Sequence, residues 1–173
     1  MARKKNILGL KIVLMGAIGA DGGMGTALTE ILGDTVKGSA SLILNEGTTE
    51  TLEVEEYDEA FDEVDTAPAK WVFQLESYNV SAKALSELGG GEFTAGASGA
   101  GDSIEMDVPE AVELSVQIET RNGAKFEIPR MKVRIKPQFD FMKAQFGKVI
   151  ITGTPLKPAK AGVATITKID AAA

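Results

Sequence analysis

The chain has 173 residues, carries a formal net charge of −7, and contains neither cysteine nor histidine. The lack of cysteine excludes disulfides and thiolate metal sites, and the lack of histidine removes the commonest metal ligand and the usual acid–base group near neutral pH. We therefore expect one domain with a core of its own, no enzymatic activity, and neither a cofactor nor a metal.

Most of the chain alternates apolar with polar residues, a pattern that is typical of half-buried β-strands. The predicted inward sides are Leu8 to Leu14, Val36 to Leu44, Leu52 to Val54, Trp71 to Leu75 and Val112 to Ile118, each at every second residue. Later strands follow at Phe126 to Ile135, Val149 to Gly153 and Val163 to Ile169.

One good helix candidate interrupts the strands. Ser81 can cap a helix that buries Ala84, Leu85 and Leu88, and Gly89 can supply the left-handed stop. Residues 139–146 suit either a second short helix or an extended link.

The region after Val112 predicts a hairpin. Asn122-Gly123 suits a tight turn, and the inward positions of the return strand change from even to odd across Pro129-Arg130, which predicts a bulge or a bend. Beyond the change, Lys132, Arg134 and Lys136 point away from the core.

About eight strands with one short helix predict a mainly β fold, an antiparallel β-sandwich or small barrel with a flanking helix. A single domain is expected over residues 1–173, with long loops at 53–69 and 89–110. Loops of this length in a compact domain are usually functional or ordered by a partner.

Charge is sorted along the chain. Residues 1–20 hold four bases and no acid, residues 21–120 hold 22 acids and three bases, and residues 121–168 hold 11 bases and two acids. Complementary charged surfaces orient one subunit on another, so this segregation favours self-assembly. The candidate contact residues lie on the acidic segment (Glu55, Glu56, Tyr57, Asp58, Glu59, Phe61 and Asp62) and on the basic strand (Arg130, Lys132, Arg134 and Lys136).

Motifs that would indicate other chemistry are weak. The glycines between Gly16 and Gly25 lack the dinucleotide-binding spacing, and no Lys-Ser/Thr pair follows them. The acids between Asp102 and Glu110 lack the spacing of a calcium loop. The basic strand suits a phosphate track, but the acidic half of the same chain offers it a protein partner.

The sequence resembles the major tail tube proteins of long-tailed bacteriophages, most nearly those of Bacteroides-type phages and prophages. The resemblance rests on the Thr29 to Ser39 segment, the Asn45-Glu46-Gly47-Thr48-Thr49 turn, the acidic run Glu53 to Glu59, and Trp71 to Leu75 leading into Ala82 to Gly91.

The resemblance implies a virion protein, made in the bacterial cytoplasm, that forms stacked rings of six around a channel for the genome. The implied partners are copies of itself and the tape measure, tail terminator and distal tail proteins, while DNA passes without specific binding and no membrane is involved. The acidic loop is implied to reach between subunits, and no catalytic residue is implied. Alternatives are a head decoration protein, a secretion-tube ring, or a carbohydrate-binding β-sandwich.

Overall fold

A computed structural model describes residues 7–53, 55 and 61–171, and strands dominate this part of the chain. Helix α1 spans Ala82–Gly89. The strands are β1 (Leu10–Gly16), β2 (Ser41–Asn45), β3 (Thr48–Leu52), β4 (Asp62–Ala67), β5 (Lys70–Ser77), β6 (Glu92–Thr94), β7 (Ser103–Glu105), β8 (Val112–Thr120), β9 (Lys125–Gln138), β10 (Lys148–Pro155) and β11 (Thr167–Ile169). All pairings are antiparallel, so the mainly β fold class with one short helix is confirmed.

One seven-stranded sheet forms the body of the molecule. Its order is β1-β8-β9-β10-β5-β2, with β11 paired to the first residues of the long strand β9. The turn between β8 and β9 has Gly123 at φ 86°, and the Gly123 N–H donates to the Thr120 carbonyl at 3.0 Å. The hairpin predicted from Asn122-Gly123 is therefore confirmed.

The core lies on one face of this sheet, and helix α1 and the segment after β1 cover it. Phe73, Ile128 and Val133 from the sheet pack in one cluster with Leu85 and Leu88 from the helix.

The Ser81 hydroxyl accepts from the Ala84 N–H, as predicted for the cap of α1, but the left-handed glycine is Gly90 at φ 76°. Gly89 belongs to the last helical turn and is buried. It packs so close to Ile135 that a Cβ at this position would clash with the Ile135 side chain.

Strand β1 buries the side opposite to the predicted one. Val13 and Met15 are buried, whereas Ile12 and Leu14 are half-buried on the other face. The pairing with β8 shifts register between Leu10 and Ile12, so the strand changes its inward parity just after Leu10. The prediction failed because both sides of this strand are apolar, and periodicity alone then cannot choose the face.

The predicted change of parity in β9 is confirmed. Ile128 and Met131 are both buried, and the register with β8 shifts between Leu114 and Val116. At this irregularity Ser115 is fully buried, donates to the Pro129 carbonyl at 2.6 Å and accepts from the Gly25 N–H at 2.9 Å.

Both segments predicted as long loops contain strands. Residues 62–67 form β4, which pairs with β3, and residues 89–110 contain the small β6–β7 hairpin. Acidic and glycine residues have low strand propensity, so the sequence pattern missed pairings that are set by the partner strand. The strand predicted from Val36 to Leu44 begins only at Ser41 in the structure, as β2. Before it, the Val36 N–H donates a hydrogen bond to the Glu76 carbonyl of β5.

Candidate interaction surfaces

Strands β3 and β4 form a two-stranded ribbon (Thr48–Ala67) that leaves the sheet from β2 and β5. Two-residue links, Glu46-Gly47 and Pro68-Ala69, join it to those strands. Every residue of β3 and all but Ala67 of β4 are exposed, and no described ribbon residue belongs to the hydrophobic core. The ribbon thus presents both of its faces to solvent.

The two faces of the ribbon differ in character. Glu50 pairs with Val64 and Leu52 with Asp62, so Leu52 and Val64 are diagonal neighbours on one face. Both side chains are substantially exposed, and Phe61, which precedes Asp62 in the chain, is 66% exposed. The other face carries Thr49, Thr51, Glu63 and Asp65.

The predicted contact residues of the acidic segment fall partly on this ribbon. Asp62 opens β4, Phe61 donates its N–H to the Leu52 carbonyl, and Glu55 is exposed. Glu56, Tyr57, Asp58 and Glu59 lie outside the described residues. From Glu46 to Ala69 the sequence has ten acids and no base, and none of the carboxylates described there makes an ion pair.

Part of the charge that is segregated along the sequence is paired within one copy of the chain. Four ion pairs join acids of residues 21–120 to bases of residues 1–20 and 121–168: Lys11–Glu119 at 3.0 Å, Arg130–Glu113 at 2.9 Å, Lys148–Glu76 at 2.8 Å and Lys160–Asp21 at 2.6 Å. The hydrogen bonds from the bases lower the pKa values of the carboxyls of Glu119, Glu113 and Asp21. Sequence segregation alone therefore overstates the charge that is left for a partner.

Three cations of the basic strand make no ion pair among the described residues, although Lys132 lies across from Glu113 in the neighbouring strand. Arg130 donates two hydrogen bonds to the Glu113 carboxylate, so this predicted contact residue is already engaged. Lys132, Arg134 and Lys136 follow on the outward face of β9, and among the described residues none of the three makes a hydrogen bond or an ion pair. We call these three residues the basic row.

A second exposed surface was not predicted from the sequence. The loop between β9 and β10 carries four exposed apolar residues, and Tyr78 lies beside it at the end of β5. Phe141 is 97% exposed and Phe146 is 79% exposed, and the Phe146 ring meets the Tyr78 ring edge-on at 6.0 Å. We call this surface the end patch; it consists of Tyr78, Phe139, Phe141, Met142 and Phe146.

The Phe-rich composition of residues 139–146 was the available indication of the end patch. The three phenylalanines of this segment are equally compatible with the buried side of a short helix, an alternative that the sequence left open. The structure has a loop with a turn there, and the rings have no core to enter.

Other chemistry finds little support in the part of the chain that is described. No group of three or more acidic residues there has the geometry to hold a metal ion, including the acids between Asp102 and Glu110. No helix in these residues is long and apolar enough to cross a membrane. A cavity of about 690 Å³ lies between β1 and residues 30–40 and is open to solvent.

No model of a known protein family matches the chain, and no curated protein sequence is significantly similar to it.

Proposed function

We propose that the chain is a structural subunit that assembles with copies of itself into stacked rings of six, and so into a tube like that of long-tailed phages. The observation that carries the proposal is the β3–β4 ribbon, whose described residues are exposed on both faces. A two-stranded ribbon is marginally stable alone in water, so burial against a neighbouring copy would stabilise it.

The charges left after intramolecular pairing support the same proposal. The ribbon has nine acids and no base in its sequence, and the basic row brings three cations that make no ion pair among the described residues. When one chain carries opposite charges on two surfaces, contact between the two different surfaces of neighbouring copies is favoured over contact between identical surfaces.

The proposed role of the tube is passive conduction of a genome. DNA carries one negative charge per about 1.7 Å of its axis, so a channel wall that lets it slide must avoid a dense array of lysine and arginine. A subunit of net charge −7 suits this duty without a specific DNA site. In this role the subunit would be part of the virion, with the tape measure, tail terminator and distal tail proteins as further partners.

Sedimentation velocity and negative-stain electron microscopy of the purified protein test the proposal. We expect large, concentration-dependent species and images of rings or tubes. A protein that stays monomeric from micromolar to near-millimolar concentration, while folded by circular dichroism, would contradict it.

The basic row supports a second candidate function, binding of nucleic acid along β9. Charge reversal to glutamate at Lys132, Arg134 and Lys136 separates the two functions, because the buried residues of β9 are untouched and the fold is retained. If the row faces an acidic neighbour, the triple variant loses assembly. If it binds phosphates, assembly persists and binding of duplex DNA at low salt disappears.

Fluorescence anisotropy with duplex DNA completes this comparison. We expect no appreciable binding by the wild-type protein at physiological salt. A salt-dependent complex of micromolar affinity or tighter would refute passive conduction and favour the second function.

A further inference from the structure

The end patch has no function in the assembly described so far, although it contains Phe141, the most exposed large apolar side chain of the described residues. We propose that it is the docking site for the β3–β4 ribbon of a second copy. This inference rests on the proposed function and adds to it the partner surface that the ribbon meets.

Exposure of these aromatic residues calls for a partner. Soluble monomers rarely expose contiguous apolar patches larger than a few hundred Å², and larger ones usually mark interaction sites. Phe139, Phe141, Met142 and Phe146 lie within one nine-residue loop, and Tyr78 is held against Phe146. Aromatic rings and methionine are the side chains that dominate the cores of protein interfaces.

The ribbon carries the complementary features. Leu52 and Val64 form an exposed apolar pair on one of its faces, flanked by Glu50 and Asp62. An occupant with this combination can bury apolar surface while it places carboxylates at the rim of the contact.

The surroundings of the end patch are basic. Lys136 ends the basic row three residues before the loop, and Lys143 lies in the loop and is exposed, whereas Lys148 after the loop is already paired with Glu76. Asp140 is the one acid of the loop, and it accepts hydrogen bonds from Gln138. Two end patches facing each other would bring their lysines together and would leave both ribbons uncovered, so a ribbon is the better occupant.

The two surfaces lie at opposite ends of strand β5. The ribbon joins β5 at Lys70, whereas Ser77 pairs with Val149 at the start of β10, directly after the end-patch loop. Seven residue steps along an antiparallel strand separate these ends by about 24 Å. Within one copy the ribbon and the patch are thus apart, and each copy has one ribbon to give and one patch to receive. Such a head-to-tail contact closes into a ring or continues as a filament.

Mixing two complementary variants tests the inference. The ribbon variant L52T/V64T keeps strand-forming residues but loses the leucine and valine contacts, and the patch variant F141S/F146S removes two highly exposed rings. The matched control is M106S/V108S, which removes exposed apolar side chains, Val108 being 86% exposed, from a different loop.

Native mass spectrometry at a few micromolar is expected to show oligomers of two or more copies for the wild type and the control. Each variant alone is expected to show single copies, while a 1:1 mixture shows mixed pairs of one ribbon variant and one patch variant. Only the mixed pair contains an intact patch facing an intact ribbon, so an interface between identical surfaces would give no such rescue.

A charge exchange provides a second, independent measurement at exposed positions. K136E/K143E reverses the rim of the patch, and E50K/D62K reverses the face of the ribbon that carries Leu52. Each double variant alone is expected to lose self-association. One chain that carries all four substitutions is expected to regain it, because its reversed ribbon then meets a reversed patch on the next copy.

Three outcomes separate the inference from the proposed function. A wild-type protein that never associates overturns both. If the wild type associates and the patch variant associates equally well, the inference is overturned but the proposed function is not. Folded variants that associate neither in the mixture of the ribbon and patch variants nor in the chain with all four charge substitutions also overturn it, because the ribbon and the patch would then not contact each other.

Discussion

At the scale of single residues, a few buried polar groups determine how the strands meet. Ser115 lies where β8 and β9 change register, and its hydroxyl joins the Pro129 carbonyl to the Gly25 N–H. A buried serine between two apolar neighbours would otherwise break the alternation of β8. Its two hydrogen bonds explain why the sequence tolerates it.

Replacing Ser115 with alanine is expected to destabilise the fold by about 1–3 kcal/mol, because the buried Gly25 N–H loses its acceptor. Urea unfolding followed by circular dichroism measures the change. The control is Ser103→Ala on exposed strand β7, where little change is expected. Equal midpoints for the two variants would show that the Gly25 N–H finds another acceptor.

At the scale of elements, the ribbon is a separable unit. Gly47 in one of its links cannot carry a side chain, because a Cβ would clash with the Ala67 carbonyl oxygen. The two links therefore pack closely at the base of the ribbon, and none of the described core residues lies beyond them.

Excising residues 49–66 and joining the ends through Asn-Gly is expected to leave the cooperative thermal transition intact and to abolish assembly. Thr48 and Ala67 are paired, so a two-residue turn can connect them. The control replaces residues 95–102 by Asn-Gly between Thr94 and Ser103, which are paired at the end of the β6–β7 hairpin. Differential scanning calorimetry and sedimentation velocity report on the two properties. Loss of the thermal transition in the ribbon excision alone would make the ribbon part of the folding unit.

Elements with one apolar side were predictable from the sequence, and those that depend on a neighbour were not. Val116 and Ile118 of β8 and the cap at Ser81 follow from local pattern and chemistry. The inward face of β1 required knowledge of the register shift after Leu10. Strand β4 has an exposed acidic sequence, so its pairing with β3 leaves no apolar periodicity to detect.

The candidate site divides in the same way. The basic row was predicted because it alternates with the buried residues Met131 and Val133. The sequence could not show that this row makes no ion pair, or that Arg130 pairs with Glu113, because both depend on which strands are neighbours. The end patch escaped prediction because three phenylalanines in eight residues normally indicate burial.

At the scale of the whole molecule, the ribbon and the basic row carry opposite charges that make no ion pair among the described residues. Rows of opposite charge on different surfaces guide copies into one relative orientation and resist like-to-like contact. We therefore expect electrostatic contacts to set the relative orientation of the copies, and apolar contacts to supply the rest of the free energy of association.

Raising sodium chloride from about 0.1 M to about 1 M is expected to weaken association, because the screening length falls from about 10 Å to about 3 Å. Light scattering across the salt series measures the effect, with sucrose of equal osmolality as the uncharged control. Association that is indifferent to salt would remove the electrostatic part of the proposal and leave the apolar part standing.

The links at the base of the ribbon also have a mechanical consequence. Any tension on the ribbon enters the body through β2 and β5, and β5 is hydrogen-bonded to β2 on one side and to β10 on the other. Because antiparallel hydrogen bonds lie perpendicular to the strands, a pull along β5 loads the five residue pairs with β10 together in shear instead of opening them one by one. We therefore expect the sheet to resist a force applied along β5 through the ribbon, and to yield more readily to a force that peels the sheet from its edge.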